Sequence, residues 1–504
     1  MPLNAILNKI TLRRMPQIEN FMKNPIEVQE TVFKNLIDAS KNTVWGEFYD
    51  YKTIKDEKTF RERVPLNDYD SLLPFFIRIM KGEQNVLWGG EVKWFSKSSG
   101  TTSTKSKFIP VSRESLEECH YKGGKDMLAL YNYNHPESKV FSGSTLALGG
   151  SKQENQYNKD IFCGDVSAII IDNLPFWAEW YRVPKKEIAL HPDWEEKLRM
   201  MIETVGSADV VSIAGVPSWM LVLLNGLLQK TGKKIEEIWP NLEVYFHGGV
   251  SFRPYRDQFA NILPDSVNYM ETYNASEGFF GLQDRTDLDS MLLLLDYGIY
   301  YEFIPFEDLN KDNKRILPLS EVEIGVNYAM VISTNGGLWR YMIGDTICFT
   351  EKVPYRFKIT GRTKHYINLC GEEVIVDNAD KALGIACKAT DAEIKEYTGA
   401  PLSNEQTHLR CHEWIIEFKK KPDNMEKFAE LFDQALQDIN SDYEAKRYKD
   451  LVLQPPVIHI ANENTFYLWL KEKGKLGGQN KVPRMANDRK IFEEILKYLN
   501  ETKE

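Results

Sequence analysis

The sequence predicts an α/β fold: a large N-terminal domain of β-sheets with flanking helices, a β-rich subdomain, and a smaller α+β domain at the C-terminus. Three observations carry that expectation. Short β-rich runs at 91–95, 168–171, 210–213 and 242–246 alternate with helical stretches at 194–205 and 218–229, the pattern of largely parallel strands joined by crossover helices. From Met291 the pattern changes to β-rich segments at 298–303, 322–324, 328–333 and 357–360, with turns such as Thr334-Asn335-Gly336-Gly337 between them. That suits a small antiparallel subdomain or barrel. A second break at 361–373 precedes a helix (379–387), a strand (413–418), a long helix (425–442) and a Gly/Lys-rich stretch (471–484).

The elements follow in order from these breaks. Residues 1–60 read as helical, with Ile26, Phe33, Leu36 and Ile37 at three-, four- and seven-residue spacing. The alternating region and the β-rich segments then fill a first domain over 1–360, 361–373 forms a hinge, and 374–504 forms a second, mobile domain. A chain of 504 residues has room for about two to four such units.

Composition narrows the function. Hydrophobic residues at 42% and charged residues at 27% are ordinary for a soluble globular chain and exclude a disordered one. A net charge of −10 gives no electrostatic footprint for nucleic acid, so positive charge has to be gathered locally. The six cysteines are scattered without a C-x-x-C pair, which argues for free thiols in a reducing compartment over zinc or disulfides. The N-terminus has no signal-peptide core, and the longest apolar run, at 219–224, falls well short of the ~20 residues of a membrane span. The expected location is cytoplasmic, with no membrane partner.

Five segments carry candidate chemistry. Ser96-Lys97-Ser98-Ser99-Gly100-Thr101-Thr102-Ser103-Thr104-Lys105-Ser106-Lys107 follows a β-rich run. Its small hydroxylated residues and one glycine let backbone N–H groups converge on phosphate oxygens, while the lysines add charge. A solvated Ser/Thr loop has the same composition. It is not a Walker A loop, because no Gly-Lys-Ser/Thr closes it. Tyr273-Asn274-Ala275-Ser276-Glu277-Gly278 partly imitates a nucleophile elbow around Ser276, but Asn274 replaces the first glycine and Gly278-Phe279-Phe280-Gly281 is a poor helix start. A tyrosine to stack on a base and a carboxylate for Mg²⁺ fit the segment better, with an ordinary turn as the plain alternative. In Arg340-Tyr341-Met342-Ile343-Gly344-Asp345, the aspartate can accept both hydrogen bonds of a ribose diol, although Gly-Asp is also an everyday turn.

Gly361-Arg362-Thr363-Lys364 and Gly371-Glu372-Glu373 bracket a short strand, with Arg362 able to reach a phosphate or ribose. A late loop, Lys473 to Arg484, carries glycines and lysines. The eight histidines have no metal spacing, and His247, before Gly248-Gly249, reads as a structural histidine at the edge of a pocket.

Taken in order, the Ser-Ser-Gly-Thr loop, the Gly-Gly turn, Tyr-x-x-Ser-Glu, Gly-Asp, the Gly-Arg hinge and the late lysine resemble the adenylate-forming superfamily of acyl-CoA synthetases, peptide-synthetase adenylation domains and luciferases. More closely, the chain resembles the auxin-responsive Gretchen Hagen family of acyl acid amido synthetases. Ser98-Ser99-Gly100-Thr101, Tyr273-x-x-Ser276-Glu277, Arg340-Tyr341-x-x-Gly344-Asp345 and Gln479-x-Lys481-x-Pro483-Arg484 carry that likeness across most of the chain.

The resemblance implies roles. Ser98, Ser99, Gly100, Thr101 and Thr102 would hold the β- and γ-phosphates of ATP beside the Gly248-Gly249 turn. Tyr273 would lie against adenine with Ser276 close by, Glu277 would serve Mg²⁺, Asp345 would bind ribose, and Arg362 would contact ribose or phosphate. Lys481 would neutralise charge at the α-phosphate from the mobile domain, which makes Lys481 and Glu277 the catalytic pair. A small carboxylic acid would become an acyl-AMP with release of pyrophosphate, and an amino acid or other amine would then attack to give an amide and AMP. A thioester ligase using CoA, and a nucleotide-binding protein without catalysis, are the alternatives. Thr104 stands where the family has a second glycine, and Met342 where it has an arginine that Arg340 would have to replace. Phe176, Trp177 and Trp219 mark an aromatic-rich acyl pocket, although a plain core also uses such residues.

Overall fold

The computed structural model describes residues 2–98, 107–150, 152–153, 158–174, 178–249, 252, 255–309, 311–363, 366–370, 372, 374–404, 409–447, 452–476 and 481–501. Beside a four-stranded sheet that includes Val92–Ser98, its backbone is a twelve-stranded sheet. From one edge the order is Leu317–Pro318, Ile299–Pro305, Asn327–Thr334, Tyr341–Lys352, Tyr355–Arg362, Met291–Leu293, Gly278–Leu282, Asn268–Ala275, Val244–Gly248, Val210–Gly215, Ser144–Ala147 and Arg182–Val183. The last five strands pair in parallel and the others antiparallel. The β-rich segments after Met291 form the antiparallel part of this sheet and continue the sheet of the α/β region.

The helices cover this sheet as the apolar spacing predicts. Pro25–Ser40 starts with proline in its first turn and buries Val32, Phe33, Leu36 and Ile37. Trp194–Thr204 and Pro217–Thr231 pack with Val210–Gly215 and Val244–Gly248 in a second apolar cluster.

Two expected strands are absent. The run at 168–171 lies inside the helix Val166–Asp172, where the amides of Ala168 and Ile169 both bond to the Asp165 carbonyl. A wholly apolar run has no periodicity to separate a buried helix from a buried strand, and burial of Val166, Ala168, Ile169 and Ile171 decides for the helix. Residues 322–324 make only an isolated bridge, Ile324 to Phe349, because Asn327–Thr334 already pairs along that side of Tyr341–Lys352.

Residues from Val374 onward form their own layer. Glu393–Asn404, Leu409–Lys420 and Val457–Ala461 make a three-stranded sheet, covered by Val376–Thr390 and Met425–Ile439 around a core that includes Trp414, Phe428 and Phe432. The sequence reading missed Glu393–Asn404, whose alternation is broken by Gly399 and Pro401. Gly399 is required there, since a Cβ would come within 2.7 Å of the Trp414 ring. Among the described residues no helix is long and apolar enough to cross a membrane.

Candidate active site

Between the large sheet and the C-terminal layer lies a cleft of about 1790 Å³. It opens at the carboxyl end of the parallel strand Val244–Gly248 and beside the last residues of Asn268–Ala275, the place where open α/β sheets bind ligands. Of the expected site residues, Gly249, Tyr273, Ser276, Glu277, Asp345, Arg362 and Lys481 line it, and Gly248 ends the strand beside them.

The Tyr-x-x-Ser-Glu segment is the end of a hairpin. Ala275 pairs with Gly278, so Ser276 and Glu277 form its two-residue turn, and Gly278–Leu282 continues as a strand. No helix follows Ser276, which removes the nucleophile-elbow reading. Instead Ser276 Oγ donates to the Lys97 carbonyl at 3.2 Å, so the end of the strand Val92–Ser98 lies beside this turn. Ser99, Gly100, Thr101 and Thr102 lie outside the described residues, as do Thr104 and the side chain of Ser98. So do Phe176 and Trp177.

The Tyr273 hydroxyl donates to Asp345 Oδ2 at 2.5 Å, and Arg362 Nε donates to Asp345 Oδ1 at 2.6 Å. Asp345 and Arg362 face each other in the register of their two strands. Tyr273 is four strands away from Asp345 in the sheet order, a separation of roughly 19 Å in a flat sheet. Contact therefore requires the sheet to curl. Bulges between Phe279 and Gly281, Thr346 and Ile347, and Phe349 and Glu351 supply bends along this stretch. Burial, and after it the Asp345 charge, holds the Tyr273 phenol far above its ordinary range, so it stays a donor.

Glu277 is half-buried, and no ion pair reaches its carboxylate among the described residues. Burial first, then Asp345, pushes it up to about 7, with Arg362 and Lys107 opposing. One carboxylate is too few for an all-protein cation cage, and no group of three potential ligands occurs among the described residues. It does fit Mg²⁺, which binds through one or two carboxylates together with substrate phosphates and water.

Gly248 and Gly249 are needed as glycines for separate reasons. A Cβ on Gly248 would lie 2.3 Å from the Thr272 carbonyl oxygen of the neighbouring strand. Gly249 sits at φ +83°, in the left-handed region. Its carbonyl accepts a hydrogen bond from Lys481 Nζ, which arrives from the C-terminal layer. Burial pulls the Lys481 ammonium down to about 8, Arg362 lowers it further, and Asp345 works against both.

Along one wall, Trp219 is buried, packs edge-on to Trp194 at 4.7 Å, and lines the cleft with Leu198 and Val222. His247 is buried too, its ring stacked on Phe252 at 4.0 Å. Burial lowers it to about 3, helped by Arg256, so the imidazole is neutral.

Arg340 does not take the place of the arginine absent at Met342. It is buried, paired with Glu302 at 2.8 and 3.0 Å, and donates to the Arg61 and Val64 carbonyls. Met342 packs beside Ile304, Ala329 and Val331, away from the cleft. Tyr255 and Phe252, both lining the cleft, were not anticipated. Their signal is two aromatics three residues apart just after the Gly-Gly turn, which composition does not separate from core.

The chain is 23% identical over 555 aligned positions to the indole-3-acetic acid-amido synthetase GH3.3 of Arabidopsis thaliana, covering 94% of this chain and 92% of that one. Its fold superposes on a GH3.15 acyl acid amido synthetase with a TM-score of 0.79 at 16% identity, over 97% of this chain and 96% of the other. It also superposes on a 2-hydroxyisobutyryl-CoA ligase in its postadenylation state with 2-HIB-AMP, with a TM-score of 0.57 at 13% identity over 98% and 92%. Family models match the GH3 N-terminal domain over residues 14–267, the central domain over 292–362 and the C-terminal domain over 377–490. The chain belongs to the GH3 family.

Proposed function

We propose that this enzyme activates a small carboxylic acid as an acyl-adenylate with ATP and passes the acyl group to an amino acid or another amine. The single observation that carries the reading is the meeting of Tyr273, Asp345, Arg362 and Lys481, from four separate sequence segments, at one cleft. The names of the relatives support it: GH3.3 is an indole-3-acetic acid-amido synthetase and GH3.15 an acyl acid amido synthetase.

In the first step an oxygen of the acid's own carboxylate attacks the α-phosphorus of ATP. The new O–P bond forms as the bond to the β-phosphate oxygen breaks, and pyrophosphate leaves. No protein nucleophile is needed. Positioning of the two reactants supplies part of the rate, on the order of 7–11 kcal/mol of barrier for well-oriented groups. The Tyr273 ring lies against adenine, Asp345 accepts the ribose hydroxyls, and Arg362 and Lys481 face the phosphates, where charge builds on the phosphorane. Asp345 keeps lone pairs for ribose while Tyr273 and Arg362 orient it. Glu277 would hold Mg²⁺, which neutralises phosphate charge when bound. In the second step the amine nitrogen attacks the acyl carbon, loses a proton, and displaces AMP.

Within this reading, residues 1–360 bind ATP and acid, 361–373 act as the hinge, and 374–504 bring Lys481 to the site. Trp219 belongs to the acyl pocket. The six free thiols agree with a cytoplasmic setting. The test is AMP release from ATP and a competent acid, with amino acids, simple amines or CoA added in turn. Release that depends on an amine supports the proposal. Release driven by CoA alone overturns the amide product and favours a thioester ligase.

A further inference from the structure

The segment that delivers Lys481 is held in place by contacts that no catalytic role accounts for. Residues 482–486 lie along Glu393–Asn404. The Gly399 amide donates to the Arg484 carbonyl at 2.8 Å, the Ala486 amide to the Gly399 carbonyl at 3.1 Å, and Thr398 Oγ1 to the Pro483 carbonyl at 2.7 Å. These bonds all stay within the C-terminal layer. They fix the shape of the segment but not its distance from ATP.

The Arg484 side chain is different. Its guanidinium lies over the Tyr397 ring at 4.5 Å, with Glu396 at 3.3 Å and Asp380 at 3.9 Å, all in the C-terminal layer. Its Nη2 also donates at 3.0 Å to the Tyr255 hydroxyl, and the Tyr255 ring is 5.8 Å away. Tyr255 immediately precedes the helix Arg256–Ala260 of the large domain and is 3% exposed. The same helix gives a second cross-domain bond, from Gln258 Nε2 to the Ile394 carbonyl at 3.2 Å. Farther out, Lys471 pairs with Glu195 at 2.7 Å, but both side chains are about half exposed and such pairs contribute little.

We propose that Tyr255 and Arg484 are positioning residues for the adenylation step: their buried contact sets the domain arrangement in which Lys481 reaches Gly249. Arg484 suits this use. Its planar fork binds an acidic pair and an aromatic face at once, so its own layer pre-orients it, and the phenol is the only cross-domain group it meets among the described hydrogen bonds. Lys481 is three residues before it, so a shift of the guanidinium carries the ammonium with it. The proposal rests on the adenylation reading above.

The test compares wild type with Tyr255→Phe, which keeps the ring and removes only the hydroxyl. Three readouts are taken: acid-dependent ATP–pyrophosphate exchange, transfer from a synthetic acyl-adenylate to the amine, and amide hydrogen exchange without ligands. The expected result is a kcat for pyrophosphate exchange lower by about tenfold, the factor from losing one hydrogen bond to a charged group. KM for ATP and the rate of transfer from the preformed adenylate stay within about twofold of wild type. Amide exchange over Arg256–Ala260 rises several-fold, while that over Met425–Ile439 is unchanged. Arg484→Lys should repeat the pattern if it folds; the tyrosine variant keeps the test open if it does not.

Unchanged protection of Arg256–Ala260, or equal loss in both half-reactions, would overturn the positioning role. Wild type that performs no pyrophosphate exchange with any acid would count against the adenylation reading itself, and the protection data would still decide the contact.

Discussion

Lys481 reaches the Gly249 carbonyl although more than 200 positions separate them in the chain, so its charge is delivered by the fold. Lys481→Ala is expected to lower acid-dependent pyrophosphate exchange by about 10²–10³-fold, as loss of a transition-state charge partner does, while ATP binding measured by calorimetry persists. The ammonium is held near 8, below the ordinary lysine value, because burial and Arg362 disfavour its charge. The cation is present below that value and lost above it, so kcat/KM for adenylation should fall as pH rises past about 8.

Arg340 marks the limit of what residue order reveals. Its position beside Gly-Asp made it a stand-in for a missing site arginine, yet φ at +43° and the Glu302 partner turn it into the core. Arg340→Met should cost on the order of 3–5 kcal/mol, because a buried carboxylate is left unpaired, and Arg340→Met with Glu302→Leu should recover most of it. Urea unfolding measures both. A single variant with wild-type stability and a specific loss in kcat would return Arg340 to the site.

At the scale of elements, the site is built where two parallel strands end and a hairpin turns. Gly248 is the tightest point, since a methyl group there meets the Thr272 carbonyl oxygen. Gly248→Ala should destabilise the fold by about 1–3 kcal/mol through strain between the neighbouring strands, and should lower kcat/KM as well, because the adjacent Gly249 carbonyl receives Lys481. Thermal unfolding and steady-state rates check the two halves; an unaltered Tm would contradict the close approach. Element reading from sequence succeeded where periodicity or turn chemistry was local, as at Pro25–Ser40 and Asn327–Thr334. It failed at Val166–Asp172, where the apolar run fits both periods and only the neighbours choose. The hairpin turn at Ser276 and Glu277 was legible as a motif but not as a hairpin, because its backbone pairing is set by Phe279 to Leu282 beyond it.

At the scale of the molecule, one curled sheet and a separate C-terminal layer enclose the cleft. The curl brings Tyr273 to Asp345 across three strands, and no local pattern in sequence encodes it. The order of motifs along the chain told which residues would be brought together, since it carries the family's arrangement; distances, the neutral His247 and the Tyr255–Arg484 contact came only with the fold.

The central claim, that this cleft makes an acyl-adenylate, is tested most directly by ATP–pyrophosphate exchange over a panel of aromatic, aliphatic and hydroxy acids, with wild type and Lys481→Ala side by side. The account predicts exchange with at least one acid and its loss in the variant, with nucleotide still bound. Silence across the panel from wild type that binds ATP, or equal exchange in both proteins, would contradict it.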